Sequence, residues 1–225
     1  MAVASNFYYP LRVLLDTHEH DFTVTLVQGS SGALFAQAKN GAPFDVFLSA
    51  DAKRPAQLFA QHLSFRPATY ALGRLALYPA NSALSLTQQL TEAKRIAIAN
   101  PQLAPFGEAA LEVLTTLSIG NFEQRLVRGN NIAQSFQFVH AGHADVGILS
   151  VSILQQAALT LKESRYSQFK ILAADLHSPI IQQMVVMSHS SQVSKAKQFS
   201  AWLLSAPIQS AIKGLGYDIY SAEDL

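Results

Sequence analysis

Short apolar runs alternate with amphipathic stretches along most of the chain. Continuous apolar runs predict buried strands near 2–4, 44–48, 74–78, 95–99 and 145–149. Between them, apolar residues recur three or four positions apart, as they do on the buried face of a helix. Strands that are almost wholly apolar and separated by helices are typical of an α/β fold with mostly parallel sheets flanked by helices.

Three further segments give more specific expectations. The alternating run 22–27 predicts a strand that leads through a Ser-rich turn into a helix ending near Lys39. Pro10 suits the first turn of a helix, with Leu11, Leu14 and Leu15 on its buried face. Segments 123–127, 169–173 and 183–187 predict additional strands.

Five of the predicted strand-to-helix turns are small and polar. They lie at 5–6, 30–31, 104–107, 130–131 and 150–152, in both halves of the chain. Free N–H groups and the positive end of the helix dipole converge at such turns, and Ser side chains add further donors. A Ser at this position is also an ordinary helix N-cap, but the repetition favours a ligand site. In a two-lobed protein, a cleft between the lobes would collect all five turns.

The composition narrows the classes of protein. With 225 residues, 49% hydrophobic and 14% charged, the chain is long enough for two modest lobes. The net charge of +1 provides no overall field for nucleic acid or an anionic membrane. The absence of cysteine excludes disulfides, thiolate metal sites and a cysteine nucleophile. Neither a signal peptide nor an apolar run that could span a bilayer is seen. Met1 stands directly before a predicted strand, as it would in a mature secreted domain with an added start Met.

The residues of the five turns are hydrogen-bond donors without an obligatory positive side chain. A site built only of donors suits a small, fully deprotonated oxyanion, which offers only acceptors. A protonated phosphate would need at least one acceptor in the site. Hydrogen bonds to a charged group contribute about 1.5–3 kcal/mol each, so half a dozen of them would support micromolar or tighter binding, near −8 kcal/mol or beyond.

Catalytic and metal-binding alternatives have weaker support in the sequence. The G-x-S-x-G, P-loop, G-x-G-x-x-G and H-E-x-x-H motifs are absent. His140 with His143, and His18 with His20, form pairs that a metal could use, but the first pair suits a helix end and the second a solvated turn. Asp45 with Asp51 is a possible acid/base pair, although Asp51 suits the first turn of a helix. The aromatic residues Phe7, Tyr8 and Tyr9 could line a ligand pocket or belong to the core.

Several of these motifs together resemble the molybdate-binding proteins of ABC transporters. The most specific is G-A-P-F-D-V-F-L-S-A-D at 41–51. The others are A-S-N at 4–6, G-S-S-G-A-L at 29–34, the segment from I-A-N-P to P-F-G at 98–107, and D-V-G-I-L at 145–149. They follow in the order and at the approximate spacing of that family, over nearly the whole chain.

The resemblance implies the type II periplasmic binding-protein fold. In that fold, two α/β lobes joined by crossing strands close on the ligand by a hinge. The crossings would fall near 74–80 and 173–187. Lobe one would then comprise residues 1–77 plus 178–225, and lobe two residues 78–177.

The resemblance also implies which residues contact the anion. Asn6 occupies the position of a first anion-binding hydroxyl, and Ser31 matches the second, within the pair Ser30–Ser31 and alongside Ser5 in the neighbouring turn. Phe106 and Ile132 match backbone N–H donors. Ser150 stands where many relatives have a Tyr whose hydroxyl reaches the anion, so this contact could be lost, pass through water, or be replaced by the Ser150 N–H.

We therefore expect a periplasmic solute-binding protein for molybdate, and also tungstate, that delivers its ligand to the membrane permease of an ABC transporter. No cofactor, resident metal, nucleic acid partner or catalytic residue is expected, and the protein should be a monomer. Sulfate or another small oxyanion is the alternative ligand. An enzyme or a regulatory effector domain on the same fold is the alternative class, but the matched positions supply no titrating group and the chain contains no fused DNA-binding segment.

Overall fold

The computed structural model describes residues 1–219, so residues 220–225, which the sequence assigned to lobe one, lie outside the described residues. Within 1–219 the strands are β1 (Ala2–Ala4), β2 (Val27–Gly29), β3 (Val46–Leu48), β4 (Ala68–Gly73), β5 (Leu75–Tyr78), β6 (Ile96–Ala99), β7 (Leu126–Gly129), β8 (Val146–Ser150), β9 (Lys170–Ile171) and β10 (Ile180–Val186). The α-helices are α1 (Ser5–Thr17), α2 (Ser31–Lys39), α3 (Lys53–Ala60), α4 (Leu86–Glu92), α5 (Pro105–Thr116), α6 (Ile132–His140), α7 (Val151–Leu161), α8 (Val193–Leu203) and α9 (Ala206–Gly214). The alternation of strands and helices confirms the predicted α/β class.

The chain divides into two compact units. The first unit is Met1–Gly73 together with the described part of 181–225, and the second unit is Arg74–Ile180. The lobe limits given by the resemblance, 78 and 177, stay a prediction.

The first unit is built on a five-stranded sheet in the order β2-β1-β3-β10-β4. Strand β1 is parallel to both β2 and β3, and β10 runs antiparallel to β3. Ala4 pairs with Gly29 and Val3 with Leu48, so β1, β2 and β3 end at the same edge of the sheet. The loops that follow these three strands therefore begin side by side.

Two apolar clusters hold the first unit together. On one side, Phe7, Leu11 and Leu14 of α1 pack with Phe199 and Leu203 of α8. The other cluster joins α2 and α3 to the sheet and contains the buried residues Leu34, Ala38, Phe47, Leu58 and Met187. One face of helix α1 is thus buried from its first turn to Leu14.

The predicted start of the first helix was wrong. Helix α1 begins at Ser5, directly after β1, so that Pro10 is its sixth residue and lies inside it. Because Pro has no N–H, it cannot donate to the carbonyl of Asn6 four residues earlier. The hydroxyl of Tyr217 donates to that carbonyl at 2.7 Å instead, which lets the helix run through Pro10. Leu11 and Leu14 are fully buried as predicted, whereas Leu15 is only partly buried.

The strand predicted at 22–27 was also mostly wrong. Strand β2 covers only Val27–Gly29, and residues 18–26 have no regular structure. The apolar residues of this segment pack on α8 instead of pairing with a strand: the ring centroid of Phe22 lies 5.9 Å from that of Phe199 and 6.0 Å from that of Trp202. An alternating pattern indicates which side chains are buried. The same pattern arises when an irregular segment packs against a helix and when a strand lies in a sheet.

The second unit has its own five-stranded sheet, in the order β7-β6-β8-β5-β9. Strand β6 is parallel to β7 and β8, while β5 is antiparallel to β8 and β9. The pairs Ala99–Gly129 and Ala97–Gly147 show that β6, β7 and β8 end at one edge. Both sheets are therefore mixed, with three adjacent parallel strands in each.

The remaining differences from the sequence expectations are short or edge elements. Strand β9 has two residues instead of the predicted five, and residues 122–125 form a 3-10 turn before β7. The pattern did not predict β4, an edge strand that is buried mainly at Tyr70 and Ala71. No helix within residues 1–219 is long and apolar enough to cross a membrane.

Candidate functional site

Each of the five polar turns leads from the end of a strand into a helix. Helices α1 and α2 of the first unit follow β1 and β2, and helices α5, α6 and α7 of the second unit follow β6, β7 and β8. The predicted site residues Ser5, Asn6, Ser30 and Ser31 form the first donor set, and Phe106, Ile132 and Ser150 form the second donor set. Within each unit the turns share one edge of the sheet because the strands before them are parallel.

Ser31 is the first residue of α2 and is buried. Its Oγ accepts a hydrogen bond from the backbone N–H of Ala50 at 2.9 Å. A hydroxyl has one proton to donate and two lone pairs to accept with. Because the Ala50 bond uses a lone pair, the Ser31 proton is left to be donated to a ligand.

The first turn of α2 supplies two more donors. Ser30 is the N-cap, and its Oγ accepts from the Ala33 N–H at 3.3 Å, so its side chain performs the ordinary capping role. The N–H groups of Ser31 and Gly32 are at the first and second helical positions, where no carbonyl of the helix can reach them. The turn therefore presents two N–H groups and a hydroxyl at the positive end of α2.

Ser5 and Asn6 open α1 in the neighbouring turn. The residue before them, Ala4, makes no side-chain cap, so the first N–H groups of α1 receive no capping acceptor from it. Asn6 is buried, and its Nδ2 donates to Oε1 of Gln182 at 2.8 Å and to the hydroxyl of Tyr217 at 3.2 Å. The amide that the sequence offers to an anion is thus tied into the core of the first unit, and a direct contact from it stays a prediction.

Phe106 is the second residue of α5, after Pro105. Pro105 has no N–H, and the N–H of Gly107 donates to the carbonyl of Ala104 at 2.8 Å. The N–H of Phe106 is therefore the first-turn donor that this helix can offer a ligand. The Phe106 side chain is buried, and a contact of its N–H with an anion stays a prediction.

Close packing holds the first turn of α5 against β6. A Cβ on Gly107 would lie 2.1 Å from the carbonyl oxygen of Ala99. Only glycine permits this approach, which places the Phe106 N–H next to the end of β6.

Ile132 begins α6 behind the N-cap Asn131. The Oδ1 of Asn131 accepts from the N–H of Gln134 at 3.0 Å, and its carbonyl accepts from the N–H of Ser135 at 3.1 Å. The cap satisfies the third and fourth N–H groups and leaves those of Ile132 and Ala133, at the first two positions, without an acceptor in the helix. A contact of the Ile132 N–H with an anion stays a prediction.

Ser150 is the last residue of β8 and the N-cap of α7. Its Oγ accepts from the N–H of Ile153 at 3.3 Å and from the hydroxyl of Ser152 at 3.1 Å. A hydroxyl that accepts a hydrogen bond still has one proton to donate. Ser150 can therefore be a donor, although it is much shorter than the Tyr that the resemblance implies.

A buried polar network adjoins the first donor set, and no sequence motif indicates it. Tyr70 donates toward the Ser49 carbonyl and toward Oε1 of Gln182, each at 3.1 Å. Desolvation by burial, followed by the negative potential of Tyr217 and Asp51, raises the pKa of the Tyr70 phenol well above its usual range. The phenol therefore remains a neutral donor at physiological pH. Gln182 is fully buried, and its Nε2 has no partner within the described residues.

The other candidate groups have structural partners. Asp51 accepts from the N–H of Arg54 at 2.9 Å and forms an ion pair with that side chain, and Asp45 accepts from the Ser190 hydroxyl at 2.6 Å. His140 is the last residue of α6, and its Nδ1 lies 2.5 Å from the Tyr166 hydroxyl. Within residues 1–219, no three His, Asp or Glu side chains are grouped so that they could hold a metal ion.

The chain is similar to known proteins over nearly its whole length. The family model described as bacterial extracellular solute-binding protein matches residues 1–218. The molybdate-binding protein ModA of Rhodobacter capsulatus is 34% identical over 224 residues, which are 96% of this chain and 86% of that protein. The solved structure of the periplasmic molybdate-binding protein of Azotobacter vinelandii superposes with a TM-score of 0.83 at 30% identity, covering 98% of this chain and 99% of that one.

A more distant structure shows how widely the fold extends. The sulfate-binding protein SubI of Mycobacterium tuberculosis superposes with a TM-score of 0.76 at 12% identity, covering 99% of this chain and 87% of that one. The fold is that of the type II periplasmic binding proteins. The chain belongs to the bacterial extracellular solute-binding protein family.

Proposed function

We propose that this protein binds molybdate, and also tungstate, outside the cytoplasm and delivers it to the membrane permease of an ABC transporter. The observation that carries the proposal is the Ser31 hydroxyl, which accepts from the Ala50 N–H at 2.9 Å and so has its proton to give. Such a donor at a helix N-terminus is suited to an anion that offers only acceptors. The named relatives support molybdate as that anion.

Each donor set offers an anion several hydrogen bonds. The first donor set contributes through Ser31 and the first turn of α2, with Ser5, Asn6 and Ser30 beside it. The second donor set contributes the N–H groups of Phe106 and Ile132 and the hydroxyl of Ser150. A hydrogen bond to a charged acceptor contributes about 1.5–3 kcal/mol, and a helix N-terminus about 0.3–1 kcal/mol more.

The same donor sets argue for a binding protein and against an enzyme. None of the seven side chains is titratable near neutral pH, so none of them offers a general acid or base. The arrangement stabilises a fixed dianion, which a carrier must hold and later release. We propose that the protein acts as a monomer and that a permease, not a nucleic acid, is its macromolecular partner.

Side-by-side calorimetric titrations with molybdate, tungstate, sulfate and phosphate test this proposal. We expect tight, near-stoichiometric binding of the first two, and weak or no heat with phosphate, whose remaining proton would need an acceptor in the site. Tighter binding of sulfate than of molybdate would support the oxyanion site but refute molybdate as its ligand. If none of the four anions gave a measurable heat of binding, the proposed function would be refuted.

A further inference from the structure

Tyr217 is the residue through which α1 tolerates Pro10. In a regular helix the carbonyl of residue 6 accepts from the N–H of residue 10, which proline lacks. The Tyr217 hydroxyl donates to the carbonyl of Asn6 at 2.7 Å and accepts from the Nδ2 of Asn6 at 3.2 Å. One phenol therefore contacts both the main chain and the side chain of Asn6, and both residues are buried.

Tyr217 itself is held in place by its surroundings. Gly216 has a φ of +91°, a conformation that favours glycine, and turns the chain after α9. The next residue, Asp218, forms a bridge with Leu72 through N–H to carbonyl bonds of 2.7 and 3.0 Å in the two directions. The Tyr217 ring packs edge-on against Phe7, with ring centroids 5.5 Å apart. The Tyr217 side chain is therefore buried and held by contacts on both its ring and its main chain.

From Asn6, hydrogen bonds continue to the second helix start of the same unit. Asn6 donates to Gln182, and Oε1 of Gln182 also accepts from Tyr70. Tyr70 contacts the carbonyl of Ser49, and the following N–H, that of Ala50, donates to the Ser31 hydroxyl. A single buried network thus connects the first turn of α1 with the hydroxyl of Ser31.

We propose that Tyr217 is a positioning residue for oxyanion binding: it supplies Asn6 with the hydrogen bond that Pro10 cannot give and so fixes the first turn of α1 beside that of α2. It touches no ligand and acts through Asn6. The inference rests on the proposed function, because it assigns the affinity of that same site in part to a residue outside it. Networks of this kind are apportioned most cleanly by double-mutant cycles.

The test uses Tyr217→Phe and Pro10→Ala, alone and combined. Tyr217→Phe takes the hydroxyl away and should weaken molybdate binding by roughly tenfold, the factor expected for loss of one well-formed hydrogen bond. Pro10→Ala restores an N–H at residue 10 that can donate to the carbonyl of Asn6 within the helix. We expect Pro10→Ala alone to bind as the wild type does, and the double variant to recover most of the affinity lost in Tyr217→Phe.

A matched control separates positioning from general stability. Tyr166 is a fully buried tyrosine of the second unit whose hydroxyl also has a partner, His140. Tyr166→Phe should lower the melting temperature without changing the molybdate dissociation constant. If Tyr217→Phe behaves in the same way, or if Pro10→Ala fails to recover its affinity, the proposal is overturned.

A ligand-free measurement keeps this inference separate from the proposed function. Amide hydrogen exchange in the first half of α1 should be faster in Tyr217→Phe than in the wild type and slower again in the double variant. Unchanged exchange would overturn the positioning role even if molybdate binds. If exchange changes as expected but the wild type binds none of the four oxyanions, the proposed function fails while the structural role of Tyr217 stands.

Discussion

The backbone N–H of Ala50 donates to the hydroxyl oxygen of Ser31 at 2.9 Å, although 19 residues separate them. Ala50 lies just beyond β3, and Ser31 begins α2 just beyond β2. The contact orients the hydroxyl of Ser31 so that its proton points away from Ala50. A main-chain group just beyond β3 thus orients a side chain at the start of α2.

Replacing Ser31 by Ala should weaken oxyanion binding by at least ~1 kcal/mol, since one hydrogen bond to a charged ligand is lost. The fold should be retained, because Ala is a good helix former at the start of α2. Calorimetric titration of molybdate, with circular dichroism to check folding, measures both effects.

Ser64→Ala is the matched control for this variant. Ser64 is buried in the same unit, and its hydroxyl has no partner within the described residues. Its removal should leave the affinity unchanged. An affinity for Ser31→Ala equal to that of the wild type would remove Ser31 from the site.

The backbone donor at Ile132 can be removed selectively. Proline is well tolerated at the first position of a helix, where its missing N–H has no helical partner. The preceding residue, Asn131, has φ −155° and ψ 173°, an extended conformation that suits a residue before proline. Ile132→Pro should therefore preserve α6 and weaken molybdate binding by about 1.5–3 kcal/mol.

Ile132→Val is the comparison variant, because it shortens the same buried side chain but keeps the N–H. It should lower stability by about 0.5–1.5 kcal/mol with little change in affinity. Equal affinities of the Pro and Val variants would show that the Ile132 N–H does not contact the ligand.

The sequence predicted the helix starts better than it predicted the contacts behind them. Polar turns after apolar strands are local features, so Ser31, Ile132 and Ser150 could be placed at helix N-termini from a few neighbouring residues. Helix α5 begins at Pro105, inside the turn predicted at 104–107. Tyr217 and Gln182 lie 211 and 176 residues from Asn6 along the chain, and no local pattern indicates that they meet. The direction of the Asn6 amide depends on those two residues and could not be predicted.

The errors in the fold have the same cause. Pro10 favours a helix start by every local rule, and only the distant hydroxyl of Tyr217 makes an interior position acceptable. The alternation at 22–27 predicts a strand by local rules, whereas the packing of Phe22 on α8 that takes its place is likewise a long-range contact. The local sequence pattern predicts which side chains are buried. Tertiary contacts decide whether those side chains belong to a strand, a helix or a loop.

Gly107 should tolerate no side chain. Its Cβ would approach the Ala99 carbonyl oxygen to 2.1 Å and the nitrogen of Pro101 to 2.9 Å, and both are backbone atoms that cannot move away cheaply. Gly107→Ala should lower the free energy of unfolding by several kcal/mol, on the order of other severe backbone clashes. It should also weaken oxyanion binding, because the Phe106 N–H would shift. Urea denaturation and calorimetry measure the two effects.

Gly214→Ala provides the reference for that experiment. Gly214 ends α9, and a Cβ there would meet no heavy atom within 4 Å beyond its chain neighbours and its own helix backbone. In a helix, Ala is favoured over Gly by about 0.5–1 kcal/mol, so this variant should be as stable as the wild type or slightly more stable. Similar destabilisation by both substitutions would contradict the close approach of α5 to β6.

The buried phenol of Tyr70 predicts how stability changes at high pH. Burial raises its pKa well above the ordinary value of 10.0, so the folded protein keeps this proton at pH values where the unfolded chain loses it. Between the unfolded and folded pKa values the native state binds more protons, and the free energy of unfolding must fall as pH rises. The contribution of Tyr70 to the free energy of unfolding is fully present below about pH 10. It is lost progressively above that pH, with a slope of at most ~1.4 kcal/mol per pH unit.

Denaturation midpoints measured from pH 8 to 11.5 should show this decline in stability. Tyr70→Phe should be less stable than the wild type at pH 8 and should lose stability less steeply as the pH rises. Parallel curves for the two proteins would contradict it, because then the phenol of Tyr70 would ionise in the folded protein as easily as it does in water.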